Sequence, residues 1–263
     1  MQIYFGNDLM GDIFSIVNQK GGVGKTTTCI NLSAALAKAK RRVLLIDLDP
    51  QSNATKGCGT DSKEVTFSVN DLLLKRCKFD DVVLHLGDFN FDILPSTPQL
   101  TEAEVLLLSS DHKEFTLKNA ITEIASKYDY LIIDCPPSLN ILTVNALTAS
   151  SGIIIPVQCE FFALQGLSEL VSTIDMIKKS SNERIEIKGI IRTMFDSRNN
   201  LSADVSEQLV KYFKDKLFKT KIPRNITLAE SPSHGMPVIF YEPTSKGALS
   251  YLSLAGELIK LEK

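Results

Sequence analysis

Short, mostly apolar segments recur along the chain at residues 13–17, 42–46, 91–94, 130–133, 152–157 and 187–191. Runs this short, without polar alternation, suit strands buried on both faces. Helical periodicity fills the intervals at roughly 25–38, 116–127, 141–149, 163–179 and 203–216, with a last helix over 246–261. In the first of these, Ile30, Leu32, Ala35 and Leu36 supply the buried stripe. Strands separated by helices of this length pair in parallel through crossovers, not through hairpins. The expected fold is therefore α/β: a doubly wound, mostly parallel sheet flanked by helices. Ligands of such sheets bind outside the carboxyl ends of the strands.

The 263 residues suffice for a sizeable core. No internal repeat, low-complexity tract or linker interrupts them, so residues 1–263 are expected to form a single domain. Segment 57–70, rich in Gly, Ser, Thr and Asp, reads as a mobile loop. Residues 1–10 belong to no periodic pattern and read as a disordered extension, with Met10 as a candidate start.

The glycine-rich turn after the first run carries the chemistry. It reads Asn18-Gln19-Lys20-Gly21-Gly22-Val23-Gly24-Lys25-Thr26-Thr27. A standard phosphate-binding loop, G-x-x-x-x-G-K-[ST], has its first glycine where this chain has Gln19. An added Lys20, followed by Gly21 and Gly22, stands in its place. Glycines let the backbone curl with its N–H groups pointing inward, and the helix starting near Lys25 contributes its positive end. Lys25 is expected to reach the β- and γ-phosphates of a nucleotide, the Thr26 hydroxyl a Mg²⁺ ion, and Thr27 the α-phosphate. Two further strands end in carboxylates: Asp47 and Asp49 after 42–46, and Asp134 after 130–133. An apolar strand ending in Asp beside such a loop is the usual Mg²⁺-shell arrangement.

These residues resemble the deviant Walker A class of P-loop NTPases, and most closely the short ParA/Soj partition ATPases. The likeness extends through Asp47-Leu48-Asp49-Pro50-Gln51, Asp134-Cys135-Pro136-Pro137, Gln158-Cys159-Glu160-Phe161-Phe162 and Ile222-Pro223-Arg224-Asn225. It implies that Lys20 is a signature lysine, crossing an ATP-bound homodimer to the partner's phosphates as an arginine finger does. It implies that Asp49 positions the attacking water, that Asp47 and Asp134 serve the Mg²⁺ shell, and that Pro223 and Asn225 read the adenine. By the same resemblance, the ATP dimer binds double-stranded DNA without sequence preference and a ParB-like activator protein triggers hydrolysis. Nothing here resembles a strong general base, so slow basal turnover is expected.

Net charge is −2 for the whole chain, but residues 178–224 hold twelve Lys/Arg against six Asp/Glu. That segment is thus +6 and the remainder −8, which suits either a cationic face or an ordinary solvated helix surface. Arg198 matches a DNA-contacting arginine of the family, whereas a second such arginine is replaced by Thr227. Lys211, Lys214, Lys219 and Arg224 are candidate substitutes.

Five cysteines, an odd number without C-x-x-C spacing, exclude a disulfide scaffold and a zinc site. His85, His112 and His234 read as structural or surface residues. Without a secretory leader or an apolar run long enough to span a bilayer, the expected location is cytoplasmic, with no membrane partner; the resemblance adds nucleoid association. Two rival readings share the fold. A MinD-like membrane ATPase would need a basic amphipathic C-terminal helix, and residues 247–260 are short of basic residues. A redox relative would need a bridging cysteine pair, and Cys135 has no evident partner.

Overall fold

The computed structural model describes residues 11–261. The candidate start at Met10 and the reading of 1–10 lie outside them. In chain order the elements are β1 (Asp12–Ile16), α1 (Lys25–Lys38), β2 (Val43–Asp47), α2 (Asn53–Gly57), α3 (Val69–Leu73), α4 (Phe79–Val82), β3 (Leu84–Leu86), β4 (Phe91–Leu94), α5 (Leu100–Leu108) and α6 (Thr116–Ile121). There follow β5 (Tyr130–Asp134), α7 (Ile141–Ala149), β6 (Gly152–Gln158), α8 (Ala163–Ser180), β7 (Glu186–Phe195), α9 (Asn200–Phe213), β8 (Leu217–Pro223), α10 (Ile226–Glu230), α11 (Val238–Tyr241) and α12 (Lys246–Leu261).

The strands form an eight-stranded sheet in the order β3-β4-β2-β5-β1-β6-β7-β8. Every pairing is parallel except β3 with β4. Side chains alternate faces along each strand, and this divides the core in two. Ile13, Leu44, Ile46, Leu131, Ile133, Ile153 and Ile155 pack beneath α3 and α6 to α9. Phe14, Ile16, Val43, Leu45, Ile132 and Ile154 pack beneath α1, α11 and α12. Each fully buried Ile or Leu contributes about 1.5–3 kcal/mol, so the central strands form the sheet's most strongly fixed part.

Register places the chemistry. Asp134 pairs with Ile16 on one side and with Asp47 on the other. The carboxyl ends of β1, β5 and β2 therefore meet at one sheet edge, where the phosphate-loop residues and both strand-end aspartates converge.

The sequence expectations hold for the central strands and fail at the margins. Strands β3 and β8 and helix α5 were not anticipated. The helix expected over 116–127 ends at Ile121, where the Thr122 hydroxyl bonds back to the Lys118 carbonyl (2.6 Å), and a 3₁₀ turn occupies Ala125–Lys127. The helix expected from 203 begins at Asn200, because Asn199 caps it by accepting from the Leu201 amide (3.0 Å). Segment 57–70 is anchored at its start: Gly59 and Gly235, both at positive φ, cross so closely that a Cβ on either would meet the other's backbone within 3 Å. Among the described residues no helix is long and apolar enough to cross a membrane. Helix α12 buries Tyr251, Leu254 and Leu258, and the Tyr251 hydroxyl meets that of Thr28 at 3.1 Å.

Candidate nucleotide and magnesium site

The loop between β1 and α1 is held by its flanks. The Asn18 amide group donates to the Pro156 carbonyl (2.7 Å) and accepts from the Lys20 N–H (2.9 Å). The Val23 carbonyl accepts from the Thr193 hydroxyl of β7 (2.8 Å). Gly22 and Gly24 have φ of 73° and 89°, a left-handed conformation that a side chain would strain. A Cβ at Gly21 or Gly22 would meet nothing within 4 Å, so this stretch of backbone faces open space. Helix α1 starts with no side-chain cap and no acidic residue in its first turn. Its leading amides and positive end are thus available to an anion.

Lys25, the first residue of α1, is buried, and its ammonium donates to the Lys20 carbonyl (3.2 Å). Burial lowers its pKa, partly offset by the nearby Asp134 carboxylate. Asp134 has no solvent exposure. Its Oδ1 accepts from the Cys29 thiol (3.3 Å), and its Oδ2 has no partner. Burial, and then the charge of Asp47, push its pKa well above the usual carboxylate range, while the Thr26 hydroxyl pulls it back. Burial also raises Asp47, against hydrogen bonds from Thr55.

Asp49 borders a cleft of about 550 Å³ lined also by Gly21, Gly22, Gly24, Lys25, Thr26, Thr27 and Asn140. Its Oδ1 accepts from the Gln51 amide (2.9 Å). Neither Asp47 nor Asp134 lines this cleft, and both oxygens of Asp47 are already engaged. Oδ1 accepts from the Asp49 N–H (3.2 Å) and Oδ2 from the amide and hydroxyl of Thr55 (2.8 and 2.7 Å). Asp47 supports the Asp49 turn from behind.

An open row of amides, a buried lysine, a helix-start threonine and an orphaned carboxylate oxygen fit a Mg-bound nucleoside polyphosphate. Among the described residues no group of three or more His, Cys, Asp or Glu could hold a metal by itself. A cation here would take few ligands from the protein and the rest from phosphate and water, as Mg²⁺ does.

The other expected site residues lie apart. Lys20 is half-exposed and pairs with Glu160 (2.6 Å). Val23 is buried and contributes backbone only. Pro223 stands beside Phe195 in the β7–β8 register, and Asn225 caps α10 by accepting from the Leu228 amide (3.2 Å) and the Thr227 hydroxyl. Neither lines the phosphate cleft. Arg198 and Arg224 share a second depression of about 1040 Å³ with Lys221 and Lys246. Lys211, Lys214 and Lys219 are exposed but outside it. Arg192, part of the same basic count, is buried and bonds the Ser206 hydroxyl (3.1 Å) and the Phe218 carbonyl (2.8 Å), a structural role.

Sequence reasoning missed Cys29, Thr55, Glu160, Thr193 and Lys246. Glu160 stood inside a quoted motif without a role, and Thr55 lies four residues beyond another. Cys29 sits one helical turn after Thr26, a spacing that places both on one face.

Comparison with known proteins agrees with this geometry. A family model described as an AAA domain matches residues 11–187. The sporulation initiation inhibitor protein Soj of Bacillus subtilis is 50% identical over 249 residues, 95% of this chain and 98% of its own. The chromosome partitioning protein ParA of Myxococcus xanthus is 48% identical over 252 residues, 95% of this chain and 89% of its own. Among solved structures, cobyrinic acid a,c-diamide synthase from Mycobacterium smegmatis, with bound ADP and magnesium, superposes with a TM-score of 0.84 at 34% identity, over 95% of each chain. The cell division ATPase MinD of Pyrococcus furiosus gives 0.80 at 25% identity, over 96% of this chain and 100% of that one. The chain belongs to the ParA/Soj family of partition ATPases, a branch of the deviant Walker A P-loop fold.

Proposed function

We propose that this protein is a single-domain Mg-dependent ATPase that acts as a partition switch. ATP closes two copies face to face, the dimer binds DNA without sequence preference, and a ParB-like activator triggers hydrolysis and release. The observation that supports the nucleotide step is the convergence of open glycine amides, buried Lys25 and Thr26 on one cleft, with the Asp134 carboxylate, one oxygen unpaired, buried behind Thr26.

Each residue has a physical role in this reading. The amides of Gly21 to Thr27 and the start of α1 bind phosphate oxygens, and Lys25 neutralises charge on the β- and γ-groups. Thr26 and Asp134 hold the Mg²⁺ shell; the bound ion would neutralise the phosphate charge that develops in transfer. Asp49, fixed by Gln51 and by Asp47 behind it, orients water. Lys20 of the second copy supplies a further cation where charge develops. Pro223 and Asn225 border the adenine. A carboxylate is a weak base at neutral pH, so turnover is slow until a partner assists.

For DNA, Arg198, Arg224, Lys221 and Lys246 form the best-gathered cationic group, with Lys211, Lys214 and Lys219 around it. Two such faces joined by dimerisation would double the phosphate contacts. A MinD-like membrane role is less favoured, because α12 packs Tyr251, Leu254 and Leu258 into the core and is short of the basic residues that would accompany its exposed leucines on a membrane.

The deciding experiment is DNA binding with ADP, ATP and a slowly hydrolysed ATP analogue, each titrated with salt. The expected result is tight, steeply salt-dependent binding with ATP or the analogue and weak binding with ADP. Equal binding in all three states, or liposome co-sedimentation without DNA affinity, would overturn the reading.

A further inference from the structure

Two lysines of the phosphate loop are tied to each other and to a carboxylate beyond it. The Lys20 ammonium meets Glu160 Oε2 at 2.6 Å. Glu160 is itself held: its Oε1 accepts from the Gln158 side chain (2.5 Å), and its N–H donates to the Gln158 carbonyl (2.8 Å). It follows β6, the strand next to β1, so both segments leave the sheet at the same edge. The Lys20 backbone is gripped from two sides: its N–H by Asn18 Oδ1 (2.9 Å) and its carbonyl by the Lys25 ammonium (3.2 Å).

We infer that Glu160 is a positioning residue that clasps Lys20 within its own protomer, and that nucleotide arrival loosens the clasp through the Lys25–Lys20 backbone contact. The inference rests on the reading that Lys20 acts across a dimer, and adds what holds it back beforehand. A phosphate oxygen attracts the Lys25 ammonium more strongly than a neutral carbonyl does. Lys25 then leaves the Lys20 carbonyl, and one of the two grips on the Lys20 backbone is gone. What remains is an ion pair with both side chains nearly half exposed, at 45% and 46%. Such pairs are weak and sensitive to salt, which suits a contact that must break on each cycle.

The test uses monomeric protein first. The rate at which a water-soluble acylating reagent modifies Lys20 is read by peptide mass spectrometry, relative to exposed Lys179 in the same digest. At low salt, Glu160→Gln is expected to raise the relative rate about 2- to 5-fold, the range for an exposed ion pair. Glu160→Asp, which keeps the charge, is expected to stay near the parent. In about 1 M salt, where the screening length is about 3 Å, parent and Glu160→Gln are expected to converge. Mg-ADP is expected to raise the parent's rate and leave that of Glu160→Gln unchanged. With a slowly hydrolysed ATP analogue, Glu160→Gln is then expected to dimerise at about 2- to 5-fold lower protein concentration by sedimentation.

Equal low-salt rates in parent and Glu160→Gln, or a parent rate indifferent to Mg-ADP, would overturn the inference. Weaker dimerisation of Glu160→Gln would overturn it too, by assigning Glu160 to the partner's lysine. Failure of the trans reading looks different: Lys20→Ala would dimerise like the parent while the labelling results stood.

Discussion

Asp134→Asn is expected to stabilise the nucleotide-free protein while weakening its response to Mg²⁺. Asp134 is wholly buried, one of its oxygens has no hydrogen-bond partner, and it stands in register beside buried Asp47. An orphaned buried polar group costs about 1–3 kcal/mol, and more when charged. An amide of the same shape is neutral without taking up a proton on folding, and can still accept from the Cys29 thiol. Taking about 1–2 kcal/mol and about 2–4 °C per kcal/mol for a chain of this size, Tm is expected to rise by about 2–8 °C. The pH dependence has a definite sign. The folded-state pKa of Asp134 and that of Asp47 lie above the unfolded value, so the folded protein keeps those protons longer. The stability they supply is complete below the unfolded pKa, near 4, and is lost as pH rises through the raised folded values. The variant's profile is therefore expected to be flatter. The assay is thermal unfolding with and without ADP, each with and without Mg²⁺, across pH 4 to 8. A ligand at a hundred times its Kd adds about 2.7 kcal/mol, and the share of this that needs Mg²⁺ is expected to vanish in Asp134→Asn. A variant that melts below the parent at neutral pH and keeps the Mg²⁺-dependent increment would refute both the strain and the Mg²⁺ role.

What the sequence disclosed and what it concealed divide by distance along the chain. The phosphate loop was legible because strand, glycines, lysine and helix start are consecutive. The central strands were legible because burial on both faces leaves mostly apolar runs. Strand β8 was not: Leu217–Pro223 interleaves Lys219 and Lys221 with Phe218 and Ile222, the alternation of an edge strand with one wet face, and was assigned to no element. Strand β3 has three residues, too few for periodicity. The supporting contacts join residues far apart: Lys20 with Glu160, Val23 with Thr193, Cys29 with Asp134, and Ser96 N–H with the Thr55 hydroxyl that also holds Asp47. Each pairing depends on sheet register, which no local pattern encodes. Register also buried Arg192 away from the basic face, since a side chain's sequence type does not tell whether it points to solvent or is consumed inside.

Four further substitutions separate the proposed roles. Lys20→Ala is expected to leave nucleotide affinity nearly unchanged by calorimetry and to abolish the sedimentation shift on adding ATP analogue; a normal shift would remove Lys20 from the interface. Asp49→Ala is expected to bind Mg-ATP normally and to lose at least tenfold in activator-stimulated turnover, about 1.4 kcal/mol of transition-state stabilisation; unchanged turnover would exclude it from positioning water. Arg198→Glu tests the basic depression. The Arg198 side chain is 88% exposed and its guanidinium is already paired with Asp196 (2.8 Å). Reversal therefore leaves two carboxylates side by side at the mouth of the depression, so the local loss exceeds one phosphate contact. In a dimer the change occurs twice, and the slope of log affinity against log salt is expected to fall by at least about 2, equally for unrelated DNA sequences. Lys246→Glu, from a different element lining the same depression, is expected to reproduce it. If both variants bind with the parental slope, the DNA surface lies elsewhere, and Lys211, Lys214 and Lys219 become the residues to reverse.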